Sequence, residues 1–350
     1  MSSYRDSMDQ LHFTPEQKQA MTDRLLSGTA RSRRRFPVRR LAVVAAAAAL
    51  VFTVGAAGAT GALRPASDFL SDLLGGAPAQ TEIIDRIGRP IDASATSGGV
   101  TITADAIIGD RYSYAILYSI RRDDGQPLAQ DISSTEGRLA LTFDDWGTQL
   151  GQPGGSHGAS WFFDADPTDN AIQFVEMMTQ DQPLGQGTAR VKFQDLFLYT
   201  DNYTQRQLLA AGTWKLKFDF AFEDASLSLP AGQSFQLNGM DATLDRVTIS
   251  PLSIQVDYTV HQQLQWDHAG QDGQQSAHDR EESYRYFESL PITITRTDGT
   301  VLDLSNSGGG ISPRAGETVC QKGGIFDEIL DLSTVESVTV GDIVLPVHAG

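Results

Sequence analysis

The stretch WKLKFDFAF, residues 214–222, places a large apolar side chain at every second position. This period of two is typical of a β-strand with one buried face, because successive side chains of a strand point to opposite faces of the sheet. The same alternation occurs at Val100-Ile102-Ala104, at Tyr112-Tyr114-Ile116-Tyr118-Ile120 and at Leu139-Leu141-Phe143. Short alternating strands separated by turns such as Asp123-Asp124-Gly125 predict a mostly β protein.

The β pattern predicts two immunoglobulin-like β-sandwich domains, residues 88–226 and residues 227–350. The segment LSLPAGQ, residues 227–233, is predicted to connect them because it contains Pro and Gly and follows the strongest strand. The strands predicted in the second domain are residues 243–249, 254–260 and 292–294, and a terminal hairpin that pairs residues 337–340 with 343–347. The polar residues 262–283 are interpreted as a long loop that is either functional or mobile.

Outside the β region, residues 41–63, LAVVAAAAALVFTVGAAGATGAL, contain no charged side chain. As a helix they would extend about 34 Å, which is enough to cross the hydrocarbon core of a bilayer. An arginine cluster directly precedes them: Arg31, Arg33, Arg34, Arg35, Arg39 and Arg40. Since clustered arginines beside a span stay on the cytoplasmic side, we predict one transmembrane helix in the cell membrane, with the N-terminus cytoplasmic and the C-terminus extracytoplasmic.

A cleaved signal peptide is the alternative interpretation, because Ala57-Gly58-Ala59 fits a signal-peptidase site. An uncleaved anchor is favoured because about 40 residues precede the apolar run, whereas a secretory n-region has only a few. Residues 64–87 are then a juxtamembrane stalk, whose first part, residues 64–76, is predicted as a short amphipathic helix that ends at Gly75-Gly76.

Residues 1–40 are predicted to be a basic cytoplasmic segment with one short helix. Thr14 is the expected N-cap, Pro15 occupies the first turn and Gly28 ends the helix. The segment offers an apolar stripe: Met8, Leu11, Phe13, Met21, Leu25 and Leu26. A stripe without a core needs a partner, which is either an anionic lipid surface or a protein that holds the helix in a groove. A mostly disordered tail stays open, since an isolated helix of this length is marginal in water.

The charge balance disfavours nucleic acid as a partner. The chain carries a net charge of −17, and its first 40 residues hold 9 Lys and Arg against 4 Asp and Glu. That leaves 18 basic against 40 acidic residues, a net of −22, for the rest. A nucleic-acid surface needs clustered basic side chains.

Cys320 is the single cysteine, so an intramolecular disulfide is excluded and a small buried thiol is expected.

No enzyme signature is present, since GxSxG, HExxH, a Walker loop and a GxGxxG in a strand-to-helix setting are all missing. Asp164, Asp166, Thr168 and Asn170 have the spacing of a calcium loop, but Asp169 stands where that loop needs Gly, and a hairpin turn explains them better. The histidines of the polar loop are interpreted as solvated: His261, His268 and His278. We predict no catalytic residue, no metal and no cofactor, and therefore a protein that is not an enzyme.

Three stretches together resemble a known family. These are YRDSMDQLHFTPEQKQAMTDRLL (residues 4–26), IGRPIDASATSGGVTITADAIIGDRYSYAILYSI (residues 87–120) and LNGMDATLDRVTISPLSIQVDYTV (residues 237–260). The order of these stretches along the chain resembles that of membrane-anchored proteins of Gram-positive bacteria, which carry an ectodomain of unknown function, numbered 4179, followed by an immunoglobulin-like domain. The resemblance implies a role beside extracytoplasmic-function sigma factors. The His and Cys-x-x-Cys pattern of zinc-type anti-sigma factors is missing, so any sigma binding would be zinc-free.

Two functional hypotheses follow. In the first, the protein is a single-pass signalling protein whose cytoplasmic stripe binds a sigma factor and whose ectodomain is a sensor or faces the wall. In the second, it is a membrane-anchored envelope protein without a regulatory role, whose β-domains contact an envelope glycan or protein. Tryptophans that could serve the second are Trp146, Trp161 and Trp266, although each is more often a core residue.

Overall fold

The computed structural model describes residues 65–129, 132–151, 154–201, 203–268 and 275–347. They belong to one compact unit, Ala48–Gly350. Strands predominate among them, which confirms the prediction of a mostly β protein. None of the helices in these described ranges is both long and apolar enough to cross a bilayer. The predicted span at residues 41–63 and the predicted cytoplasmic segment at residues 1–40 lie outside the described residues.

The described chain begins with two short helices, α1 (Ser67–Leu74) and α2 (Pro78–Ile87). The predicted helix is confirmed as α1, and it ends at Gly75, whose backbone N–H donates to the carbonyl of Ser71 at 2.9 Å and whose φ of 98° suits glycine. The sequence reading missed α2. Pro78 at its first position and buried Ile84 and Ile87 define it.

Residues 88–220 build two sheets around a shared core. The strands of the larger sheet are β1 (Gly88–Ser97), β2 (Val100–Gly109), β3 (Ser113–Arg122), β4 (Ser134–Thr135), β5 (Arg138–Leu139), β7 (Ser156–Phe163) and β8 (Ala171–Gln180), in the order β1-β2-β3-β8-β7-β5-β4. The smaller sheet has the order β10-β9-β6, with β6 (Leu141–Gln149), β9 (Gly187–Thr200) and β10 (Gln205–Phe220). The predicted alternation of β10 is confirmed, since Trp214, Leu216, Phe218 and Phe220 are buried in this core.

Residues 227–346 build a second pair of sheets around another core. One contains β11 (Leu227–Leu229), β12 (Ser234–Leu237), β13 (Met240–Ile249), β14 (Ser253–Val260), β17 (Gly309–Arg314) and β18 (Glu317–Ile325). The other contains β15 (Ile292–Arg296), β16 (Val301–Asp303), β19 (Val335–Val340) and β20 (Ile343–Pro346). The predicted terminal hairpin is confirmed as β19 and β20. The start of the predicted connector is itself a strand, because β11 pairs with β13.

The segment predicted as one long loop, residues 262–283, ends in a helix. Helix α3 (Ala277–Ser283) begins after Ser276, whose hydroxyl accepts a hydrogen bond from the backbone N–H of Asp279 at 2.9 Å. It continues into a π-helical turn, Tyr284–Glu288. The loop prediction was therefore wrong for the last residues of this segment, where an N-cap serine was the signal for a helix.

One buried lysine fastens the end of this π-helical turn to β18. The ammonium of Lys322, fully buried, donates to the carbonyls of Phe287 at 3.0 Å, Glu288 at 3.1 Å and Leu290 at 2.8 Å. A cation at the carboxyl end of a helix satisfies carbonyls that have no helical partner. Burial lowers the pKa of Lys322 to about 8, against the pull of Glu288 and Asp303.

Neighbouring strand residues bond to the same turn. The hydroxyl of Tyr258 donates to the carbonyl of Tyr286 at 2.8 Å, and the thiol of Cys320 lies 3.6 Å from that oxygen. The prediction of a buried thiol is confirmed, and burial raises the pKa of Cys320 to about 12. A thiol in this state is a packing residue, because the reactive thiolate is strongly disfavoured.

A buried carboxylate joins the two pairs of sheets. Asp110 lies in the turn between β2 and β3, where its Oδ1 accepts from the backbone N–H groups of Tyr112 at 2.9 Å and Ser113 at 2.7 Å. Its Oδ2 accepts from the hydroxyls of Ser250 at 2.5 Å and Ser253 at 2.6 Å, in the turn between β13 and β14. Burial raises the pKa of Asp110, and these four hydrogen bonds oppose that rise.

Candidate functional site

The sequence-predicted partner stripe lies outside the described residues: Met8, Leu11, Phe13, Met21, Leu25 and Leu26. The arginines that set the predicted topology also lie outside them: Arg31, Arg33, Arg34, Arg35, Arg39 and Arg40. Both sets therefore remain predictions. The candidate site described below lies in the β region.

The neighbouring antiparallel strands β3 and β8 separate two environments. Side chains on one face, such as Tyr118 of β3 and Phe174 of β8, enter the core between the first two sheets. Side chains on the other face, such as Leu117 and Val175, pack in a cluster with α1 and α2. That cluster comprises Ala66, Leu70, Leu74, Ile83, Ile84, Ile87, Ala106, Ile108, Ala115, Leu117, Val175, Leu252 and Ile329. A single sheet therefore lies between the inner core and the two helices.

The inner face of these strands carries an acidic side chain, Glu176, which is 2% exposed. Its Oε1 accepts from the hydroxyl of Tyr114 at 2.6 Å, and its Oε2 accepts from the hydroxyls of Thr148 at 2.6 Å and Tyr118 at 3.4 Å. Burial raises the pKa of Glu176, while the hydrogen bonds from Thr148, Tyr114 and Tyr118 oppose that rise. Among the described residues, no lysine or arginine forms an ion pair with this carboxyl group.

Glu176 lines an open pocket of about 330 Å³ between β6 and the β7–β8 hairpin. The aromatic ring of Trp146 and the apolar side chains of Leu150 and Met178 form part of its wall. Its lining also contains the polar side chains of Gln149, Ser156 and Gln180, for which no side-chain hydrogen bond is seen within the described ranges. The pocket thus combines an aromatic wall, polar groups and one buried acid, which is the usual composition of a small-molecule site.

A carboxylate has about four acceptor positions, and three donors already point at Glu176. These three hydrogen bonds leave about one acceptor position of the carboxylate for a further donor. A cation at that position would favour the ionised form of Glu176, which burial disfavours, and could form a charge-assisted hydrogen bond with it. The sequence signal for Glu176 is an acidic residue at an inward position of the apolar strand AIQFVEMMTQ. The sequence alone did not single it out.

A second, larger groove of about 660 Å³ lies along α1, β2 and β3 and is lined by several charged residues. Most of its charged side chains already have partners in the protein. Arg121 pairs with Asp169 at 3.0 Å, Thr101 donates to Asp123 at 2.7 Å, and Ser119 donates to Asp105 at 2.6 Å. Because these side chains satisfy one another, the smaller pocket at Glu176 is the better candidate.

The predicted hairpin turn at Asp164 to Asn170 is confirmed, since β7 and β8 pair on either side of it. Asp166 accepts from the backbone N–H of Thr168 at 2.9 Å and Asp169 from that of Ala171 at 2.8 Å, so the carboxylates order the turn itself. His278 bonds to the carbonyl of Gln265 at 2.8 Å.

The three tryptophans named as possible binding residues are half-buried and pack against hydrophobic clusters. Trp146 packs against the core between the first two sheets, Trp161 against the cluster below the helices, and Trp266 against the core of the second pair of sheets. Trp146 also lines the pocket that contains Glu176. It is therefore the tryptophan best placed to contact a ligand there.

No protein-family model matches the chain, and no curated protein matches it. The solved structure of the conserved domain protein from Bacillus anthracis is similar at a TM-score of 0.47 and 17% identity, over 72% of this chain and 76% of that chain. A likeness of this strength carries no information about function.

Proposed function

We propose that this chain is a single-pass signalling protein of the cell membrane whose residues 1–40 bind and restrain an extracytoplasmic-function sigma factor without zinc. In this proposal the β region lies outside the cell and recognises a ligand in the pocket at Glu176. The lipid bilayer holds residues 41–63. The family resemblance and the apolar stripe predicted from the sequence motivate the cytoplasmic part.

The observation that supports a sensory role is the shared sheet. Tyr114 and Glu176 line the pocket from one face of β3 and β8, while Ala115 and Val175, their neighbours in sequence, contact the helix cluster from the other face. The helices are the described residues nearest in sequence to the proposed span. Because protein interiors are closely packed, a ligand that displaces β3 or β8 also displaces the side chains against which α1 and α2 pack.

Binding of a sigma factor is expected to depend on the apolar stripe. We expect Met21→Asp and Leu25→Asp, each made in the full-length chain in detergent, to reduce co-purification of a sigma factor by about tenfold or more, because each places a charge in an apolar contact. Affinity capture followed by mass spectrometry of the retained proteins measures this.

The matched control is Gln19→Asp, which adds the same charge at a polar position of the same predicted helix. It should leave the captured amount unchanged. Equal capture of sigma factor by the wild type and all three variants, or capture of none, would refute the regulatory role.

A second candidate function is a membrane-anchored envelope protein that binds a glycan or a surface protein and has no regulatory partner. The observation that favours it is the position of Trp146 in the wall of a pocket edged by Gln149 and Gln180, since aromatic rings pack against the C–H faces of sugars and amides bond their hydroxyls. We expect full-length protein in detergent to sediment with purified cell wall and Trp146→Ala to reduce the bound fraction severalfold.

The control for this measurement is Trp266→Ala, which truncates a half-buried tryptophan packed on the other core. Sedimentation that is equal for both variants and for the wild type would exclude a role of the pocket in wall binding.

We also propose that residues 88–226 and 227–350 are immunoglobulin-like sandwiches of the family with the ectodomain numbered 4179. The two sheets around each core support this interpretation.

A further inference from the structure

We infer that the pocket at Glu176 binds a primary ammonium group carried by a small polar molecule. The inference rests on the proposed ligand-binding role of the ectodomain and names the chemistry of its ligand. It follows from the arrangement of donors, acceptors and charge around the carboxyl group.

The charge of the pocket favours a cationic ligand. Glu176 is the one acidic side chain among the residues described as lining the pocket, and none of those residues is a lysine or arginine. A buried carboxylate without a cation is costly, because hydroxyl donors compensate only part of the lost hydration. A ligand cation completes this site, whereas an anion would add a second negative charge to it.

The hydrogen bonds of Glu176 leave an acceptor position for a ligand. Among the described residues, Oε2 accepts from Thr148 and Tyr118, and Oε1 accepts from Tyr114 alone. One acceptor position of Oε1 therefore remains for a ligand N–H. A primary ammonium offers three donors, so after bonding Oε1 it has two more for other acceptors, and the amide oxygens of Gln149 and Gln180 also belong to the lining.

The size and the lining of the pocket limit the rest of the ligand. The pocket volume of about 330 Å³ suits a single sugar ring or one amino-acid side chain. The ring of Trp146 attracts a nearby cation through its π face and packs against the adjoining C–H groups. The excess of acidic over basic residues after residue 40, 40 against 18, attracts cations to this part of the chain from a distance.

Two sources supply this chemistry, an amino sugar and a lysine side chain. The experiment uses full-length protein in detergent and measures binding by the fluorescence of tryptophan and by calorimetry. Glucosamine and Nα-acetyl-lysine amide are the amine probes, and N-acetylglucosamine and Nα,Nζ-diacetyl-lysine amide are their neutral counterparts. We expect at least one amine probe to bind roughly tenfold or more tightly than its acetylated counterpart, since a charge-assisted hydrogen bond is lost on acetylation. The probe that binds identifies the source.

The variant Glu176→Gln keeps the size of the side chain and removes its charge, so it should lose roughly tenfold or more in affinity for the amine probe. The control Glu223→Gln removes one negative charge at an exposed position outside the pocket and should bind as the wild type does. Thermal unfolding of both variants reports whether they remain folded.

Binding of neither amine probe, equal binding of the amine and acetylated probes, or unchanged affinity in a folded Glu176→Gln variant would each overturn the inference. None of these results depends on a sigma factor. Failure of the amine test with continued capture of a sigma factor would therefore remove the ligand assignment alone, whereas failed capture with amine binding would remove the regulatory role alone.

Discussion

Replacing Asp110 by alanine is expected to lower the free energy of unfolding by roughly 3–4 kcal/mol, because buried donors left without an acceptor each cost about 1–3 kcal/mol. Four donors point at this carboxylate: the backbone N–H groups of Tyr112 and Ser113, and the hydroxyls of Ser250 and Ser253. The hydroxyls can turn toward other acceptors, which is why the total lies below the sum of four such costs. Denaturant unfolding followed by circular dichroism measures the loss.

The control is Asp124→Ala, which removes a carboxylate from the exposed turn after β3, where it pairs with Arg122 and accepts from the backbone N–H of Gln126. Exposed ion pairs contribute about 0–1 kcal/mol, so this variant should unfold close to the wild type. The two serines lie 140 and 143 residues from Asp110 in sequence, and we expect their double alanine variant to reproduce part of the loss. An Asp110→Ala protein as stable as Asp124→Ala would show that this carboxylate does not hold the two pairs of sheets together.

Replacing Lys322 by methionine is expected to cost about 2–4 kcal/mol, since the carbonyls of Phe287, Glu288 and Leu290 lose a shared donor while the apolar stem is largely retained. The same denaturant experiment measures it. Lys217→Met is the control, because Lys217 lies on β10 at an exposed position of an alternating strand.

The pH dependence separates this lysine from a simple packing effect. Burial lowers the pKa of Lys322 to about 8 from 10.5, so between these values the unfolded chain binds more protons than the folded protein. The contribution of Lys322 to the free energy of unfolding therefore rises as the pH increases from about 8 to 10.5. We expect the stability difference between the wild type and Lys322→Met to grow across this interval. A difference that stays constant or shrinks would contradict the lowered pKa.

The sequence predicted those features of the fold that depend on neighbouring residues. Alternation of large apolar side chains located β10 through Trp214 and Phe218, and Gly75 marked the end of α1. Helix α2 was missed because its polar first half resembles a linker, although Pro78 at the first position and Ile84 and Ile87 on one face are helix signals.

The candidate site could not be predicted from the sequence because its contacts are long-range. Glu176 lies 62 residues from Tyr114 and 28 residues from Thr148. Within its own strand, Glu176 differs from its neighbours only in being an acid at an inward position. Lys322 occupies an inward strand position as well, and the carbonyls that accept from it lie more than 30 residues earlier. Such partners become visible only when the strands are brought together.

The packing of α1 and α2 determines at which residue a recombinant fragment of this protein can begin. A fragment that began at Gly88 would lack Leu70, Leu74 and Ile84 and would expose Ile108 and Val175 to water. Contiguous uncovered apolar surface of this kind promotes aggregation. A recombinant β region therefore has to start ahead of Ser67, and an unsuitable start site would yield insoluble material whatever the ligand or partner.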